Sequence, residues 1–135
     1  MGETKVFFDT NILLYLLSEE SDKADRSEML LVNRGIISVQ VLNEFVAVAS
    51  RKLGLSYPEI REVLEPVRAA CAIEPITLKT HELGLKIAER YQFSIYDAII
   101  VSAALLANCA TLYSEDLQDR QVIEGQLTIE NPFIR

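Results

Sequence analysis

Four acidic residues stand where carboxylates do chemistry in α/β proteins: Asp9, Glu44, Asp97 and Asp116. Asp9 ends the run Lys5-Val6-Phe7-Phe8 and precedes Thr10-Asn11 and a series of leucines. That pattern predicts a short buried strand whose carboxyl end delivers an acid into a helix-opening turn. Asp116 follows Ala110-Thr111-Leu112-Tyr113, a second strand of the same kind. Strand carboxyl ends are where open parallel sheets bind ligands. Glu44 lies in an apolar helical stretch with Val41, Phe45, Val46 and Val48 as helical neighbours, and Asp97 opens the most apolar helix of the chain. Hard oxygen ligands with no His or Cys among them select Mg²⁺ or Mn²⁺. The sole histidine, His81, begins a polar helix and has no ligand spacing with any partner. P-loop, G-x-S-x-G and H-E-x-x-H patterns do not occur, so the matching chemistries lack support.

Each acid also has an ordinary reading. Asp9 can simply cap the first helix, although Thr10 can fill that role, and Asp116 can cap a turn of helix through Asp119. Asp97 stands three residues after Ser94, a capping-box position. Glu44 can escape to solvent, because an unpaired buried carboxylate is costly. What favours chemistry is joint placement, since all four can surround one rim of a parallel sheet.

The elements that must position them read in order. Helices are expected over 12–17, then 23–33 with Gly35 as its C-cap, and 39–53 closed by Gly54. Ser56-Tyr57-Pro58-Glu59 is a strong helix start, carrying to Ala70. A helix capped by Thr80 runs to Tyr91, and another spans 97–108. Strands are expected near 5–8, 36–38, 110–113 and 127–129, with a short extended piece over 71–76. Strands separated by helices predict an α/β sandwich with a small, mostly parallel sheet covered by helices.

The 135 residues make one ordinary domain, 1–135, and half of them are hydrophobic, enough for a sizeable core. Thirteen Lys and Arg against 20 Asp and Glu leave a formal charge of −7. That is a poor footprint for gripping nucleic acid by charge alone, and it suits clustered carboxylates that hold a divalent metal or meet a basic partner. Cys71 and Cys109 are far apart, which reads as buried reduced thiols. The start, Met1-Gly2-Glu3-Thr4-Lys5-Val6, shows no signal h-region, and the most apolar segment is too short for a bilayer, so a soluble, cytoplasmic protein with no membrane partner is expected.

With those residues in view, the chain resembles PIN-domain proteins, and within them the VapC-type toxins of bacterial type II toxin–antitoxin pairs. The matching pieces are Phe8-Asp9-Thr10-Asn11-Ile12-Leu13, Ser38 to Glu44, Tyr96-Asp97-Ala98-Ile99-Ile100, Tyr113-Ser114-Glu115-Asp116-Leu117 and Ile129-Glu130-Asn131-Pro132-Phe133. The resemblance implies a PIN-like three-layer sandwich and an Mg²⁺- or Mn²⁺-dependent endoribonuclease acting on RNA, often tRNA or rRNA. It places the catalytic and metal-binding acids at Asp9, Glu44, Asp97 and Asp116. Asp9 and Asp97 would ligate directly, Asp116 directly or through water, and Glu44 would ligate or act on the attacking water. Asn11 and Ser114 would be supporting polar residues, with Asp119 a further member of the acidic rim. It also implies a homodimer and a cognate antitoxin whose C-terminal segment fills the acidic groove. One departure is Arg120, where relatives of this subgroup often carry glycine.

RNA still needs cations somewhere. Arg51, Lys52, Arg61 and Arg68 form one basic group, and Lys79, Lys86 and Arg90 a second; either can flank a groove or be a solvated face. Phosphotransfer of the haloacid-dehalogenase or receiver kind fits poorly, since Asn11 stands where the former want a second Asp and Phe8 where the latter want an acid. A catalytically silent PIN-like binding module is the non-enzymatic alternative.

Overall fold

The computed structural model describes residues 4–134. Strand β1 (Val6–Phe8) is the centre of the fold. Phe7 and Phe8 are both fully buried, as expected of a strand covered on both faces. It pairs in parallel with β2 (Gly35–Ser38) on one side and β4 (Thr111–Tyr113) on the other, with Phe8 opposite Tyr113. β3 (Cys71–Glu74) adds in parallel to β2, and β6 (Leu127–Glu130) in parallel to β4. β5 (Val122–Ile123) closes the far edge as an antiparallel partner of β6. The order is therefore β3-β2-β1-β4-β6-β5. The chain winds outward from β1 to β3, then returns to the other side of β1 at β4. That reversal makes a topological switch point between β1 and β4, the crevice where open α/β sheets hold ligands.

Helices α1 (Thr10–Leu14), α2 (Ser21–Val32), α3 (Val39–Arg51), α4 (Tyr57–Ala70), α5 (Leu78–Tyr91) and α6 (Ile95–Leu106) complete a three-layer α/β arrangement. A single 3₁₀ turn, Tyr15–Leu17, continues α1. Local chemistry sets the starts. Ser38 caps α3 and Ser94 caps α6 through their hydroxyls. At α4, Ser56 and Glu59 form a reciprocal box, with the Ser56 N–H donating to Glu59 at 2.8 Å and the Glu59 N–H donating back to Ser56 at 3.3 Å. α6 is buried along most of its length, from Ala98 and Ile100 to Leu105. The sequence reading of it as the central helix agrees with this.

Several local expectations are corrected. Gly35 does not cap α2; Asn33 does, and the left-handed residue after it is Arg34, at φ 64°. Gly35 instead opens β2 beneath the Phe8 ring. A Cβ there would stand 2.9 Å from Cζ of Phe8 and closer still to Cε2, so the position is set by close approach rather than by turn geometry. α5 is capped by Thr77, with Thr80 answering from the third helical position, because a Thr–Thr box starts the helix one turn early. No helix follows Asp116, where the chain runs through bends towards β5. β5 itself was not expected; Glu124 and Gly125, both at positive φ, form the tight turn that folds it onto β6.

Cys71 and Cys109 are both buried and unpaired, and burial pushes each thiol up to about 11. Among the described residues no helix is long and apolar enough to cross a membrane. The Met1-Gly2-Glu3 start lies outside the described residues.

Candidate active site

Asp9 leaves the end of β1 and caps α1, so its carboxyl is fixed by two elements at once. It is 4 % exposed. Oδ1 accepts from the Thr10 N–H at 2.7 Å; Oδ2 accepts from the Ser114 hydroxyl at 2.7 Å and from the Asn11 side-chain amide at 3.4 Å. Ser114 stands at the end of β4, so register across the switch point brings it to Asp9. The Asn11 amide also donates to Asp116 at 3.2 Å, while its carbonyl accepts from the Glu115 N–H at 3.2 Å. Asn11 thus fastens the loop after β4 to the start of α1. Asp116 is exposed at the mouth of this arrangement.

Glu44 and Asp97 approach from the helices. On α3, Glu44 accepts from the Thr10 hydroxyl at 2.9 Å through Oε1 and from the Gln40 side-chain amide at 2.8 Å through Oε2. Asp97 sits in the first turn of α6, its N–H donating to Ser94 at 3.1 Å. Ser94 thus caps the helix through the Asp97 backbone, and the Asp97 carboxyl still feels the charges of Glu44 and Asp116.

The electrostatics follow from this crowding. Burial pushes the Asp9 carboxyl up to about 6, against the pull of the Ser114 and Thr10 hydrogen bonds, with Asp97 and Asp116 pushing the same way. Burial also raises the Asp97 carboxyl, opposed by Ser94 and reinforced by Glu44 and Asp116. The donors holding Asp9, Glu44 and Asp116 are hydroxyls, side-chain amides and one backbone N–H, none of them cationic. Two carboxylates elsewhere are treated differently. Glu115 meets Lys23 at 2.9 Å and Tyr15, and Glu124 meets Arg90 at 2.6 Å. Neutral donors orient a carboxylate without compensating its charge, so the site keeps an uncompensated negative field that a divalent cation fits.

Among the described residues no three His, Cys, Asp or Glu side chains stand close enough to hold an ion by themselves. The donor set suits an ion that keeps several of its own waters, which is the habit of Mg²⁺.

The sequence reading passed over Thr10 and Gln40 as holders of Glu44. Gln40 was legible as an i, i+4 partner on a helix; the Thr10 contact depends on how α1 meets α3. It also missed the cluster of Tyr15, Lys23 and Glu115, in which the Lys23 ammonium lies 4.6 Å from the Tyr15 ring centre. Those partners are too far apart in sequence to signal one another. Of the basic groups, Arg90 is tied to Glu124 and so is not free to flank a groove.

The model of the PIN domain matches residues 6–122. The chain belongs to the PIN-domain family. This PIN domain also has the fold of several solved toxin–antitoxin proteins. A toxin–antitoxin complex from Klebsiella pneumoniae is 24 % identical, covers 95 % of this chain and 98 % of its own, and superposes with a TM-score of 0.70. DNA-bound VapBC from Salmonella typhimurium is 18 % identical over 96 % of this chain and 99 % of its own, with a TM-score of 0.71. VapC20 of Mycobacterium tuberculosis, a sarcin–ricin-loop-cleaving toxin, is 16 % identical over 83 % of this chain and 90 % of its own, with a TM-score of 0.68. A search of curated protein sequences finds no match.

Proposed function

We propose that this PIN domain is an Mg²⁺- or Mn²⁺-dependent endoribonuclease, the toxin of a type II toxin–antitoxin pair, that hydrolyses phosphodiester bonds in tRNA or rRNA. The observation that carries the reading is the buried Asp9 carboxyl at the switch point, held only by neutral donors and pressed by Asp97 and Asp116. Asp9, Asp97 and Asp116 would hold the ion, with Glu44 at its edge. The ion supplies Lewis acidity towards the phosphoryl oxygens and makes water a better nucleophile at neutral pH.

The chain's own residues do the rest. Hydrolysis needs water to attack phosphorus, the bond to the leaving sugar oxygen to break, and a proton to reach that oxygen. Glu44 orients the attacking water and takes its proton. Asn11 holds Asp116 and the following loop in place, and Ser114 keeps Asp9 aligned. The negative rim also fits a basic segment of a cognate antitoxin, in line with the toxin–antitoxin complexes that share this fold, and the active form is a cytoplasmic homodimer.

The test is cleavage of total RNA by antitoxin-free protein in Mg²⁺, Mn²⁺ or EDTA, beside Asp97→Asn, with new ends mapped by sequencing. Discrete metal-dependent cuts that vanish in the variant are expected. Undiminished cutting by Asp97→Asn would sink the reading. A folded protein that neither cuts nor binds Mn²⁺ would be the silent module instead, a reading favoured by the spread of the acids.

A further inference from the structure

The two oxygens of Glu44 are engaged by donors from two different elements. Thr10, at the head of α1, takes Oε1; Gln40, one turn earlier on α3, takes Oε2. A carboxylate on a long side chain has three torsions to settle, and one hydrogen bond leaves it free to swing about the held oxygen. A second bond from another direction fixes the plane of the group. Each oxygen keeps a further lone pair, so the carboxylate still has acceptor capacity for a water. The choice of donor also matters. Elsewhere Lys23 and Arg90 hold Glu115 and Glu124 as cations and compensate their charge. At Glu44 it uses an uncharged amide.

We propose that Gln40 is a positioning residue of the active site, acting through Glu44: its carboxamide fixes the plane of the Glu44 carboxylate while leaving its charge uncompensated, so that a lone pair faces the attacking water. This rests on the ribonuclease reading. Gln40 does not touch substrate. Its contribution is alignment, and a partner of that kind behind a functional ligand is worth roughly 10- to 100-fold in activity.

The geometry makes separable demands on the side chain. Gln40→Met keeps the length and apolar stem but donates nothing, so Glu44 is left on Thr10 alone. Gln40→Lys restores a donor but pairs Glu44 with a cation. Both substitutions fall at a half-buried position of α3 with favourable helix propensity, so the fold is expected to survive.

The experiment is a double-mutant cycle of Gln40→Met with Glu44→Gln, read by single-turnover cleavage of a mapped RNA. The thermal transition of each protein and the ¹⁵N–¹H signals of the Gln40 amide complete it. Expected are a loss of about tenfold in the chemical rate for Gln40→Met with little change in RNA affinity, and no additional loss when it is added to Glu44→Gln. Gln40→Lys should not rescue the rate. The Gln40 amide protons, assigned by their absence in Gln40→Met, should shift when Glu44 becomes Gln. Full activity of Gln40→Met, additive losses in the cycle, or full rescue by Lys would each overturn the positioning role while leaving the ribonuclease standing. Absence of cleavage by the wild type would overturn both.

Discussion

The Ser114 hydroxyl donates to Oδ2 of Asp9 at 2.7 Å, joining positions 105 residues apart in the chain. Both side chains are buried, and the bond spans the pair of strands whose carboxyl ends define the switch point. Ser114 also accepts from the Leu117 N–H at 3.3 Å, so one hydroxyl fixes a site acid and the loop carrying Asp116. Ser114→Ala removes a donor from a buried carboxylate, and a hydrogen bond to a charged group contributes about 1.5–3 kcal/mol. We expect urea unfolding at pH 7.5 in EDTA to show a loss of that order. A loss below about 0.5 kcal/mol, the range of surface substitutions, would mean that the bond contributes nothing to the fold.

Asp9 sets a pH dependence whose sign can be worked out. Its folded carboxyl is pushed up to about 6 from the ordinary 3.8. Between those values the folded state binds more protons than the unfolded one, so this group's contribution to stability falls as pH rises through the window. Above about pH 6 the full penalty, about 3 kcal/mol, is present. Asp9→Asn should therefore stabilise the metal-free protein at pH 7.5, with a gap to wild type that narrows towards pH 4. Added Mg²⁺ should raise the wild-type transition and leave that of Asp9→Asn in place. A gap independent of pH would overturn the argument.

Gly35 connects packing to the site. Its missing Cβ makes room for the buried Phe8 ring, which stacks on Tyr113 at 6.0 Å between centres. Phe8 precedes Asp9, so a shift of the ring moves the acid. Gly35→Ala overpacks the junction of β1 and β2 and should cost about 1–3 kcal/mol. RNA cleavage should fall as well, under conditions where calorimetry shows the variant folded. An unchanged transition temperature would show that the sheet absorbs a methyl group here.

Arg120 occupies φ 69°, the left-handed region that glycine enters freely. Its side chain is exposed, 3.9 Å from Asp119, and its N–H donates to Ile129 at 2.7 Å. Arg120→Gly keeps that backbone bond and relieves the Cβ strain, about 1 kcal/mol, against a similar entropy cost in the unfolded chain. The expected result is a stability within about 0.5 kcal/mol of wild type. Arg120→Val, whose branched side chain resists positive φ, should lose about 1–2 kcal/mol. Equal losses for Gly and Val would locate the role of Arg120 in its side chain rather than its backbone.

What the sequence made legible was local in origin. A run of apolar β-formers ending in Asp announces β1 and Asp9, and the Ser56–Glu59 box announces α4, because each signal lies within a few residues. The apolar surface of α6 identified the helix at the centre. The role of Gly35 was hidden, since the pattern of a glycine after a helix is the pattern of a cap, and only the pairing of β1 with β2 reveals the Phe8 ring above it. β5 was hidden by its brevity: two residues give no periodicity to read. The grip of Thr10 on Glu44 depends on how two helices meet. The neutrality of the donors around the acids is likewise a property of assembled neighbours, visible only when Lys23 and Arg90 are found paired elsewhere.

The placement of β1 and β4 has a consequence for how the molecule breathes. The Asp9 amide donates to Tyr113 at 2.9 Å and the Ser114 amide to Glu130 at 3.0 Å, both at the carboxyl ends of interior strands of the sheet. Interior strands open to solvent only with the whole domain, whereas edges open in smaller excursions. The amides of Asp9 and Ser114 should thus exchange with deuterium as slowly as global unfolding permits, while those of β5 exchange early. Asp9 and Ser114 are mounted on the slowest-opening part of the protein, and fraying of β5 away from β6 leaves them undisturbed.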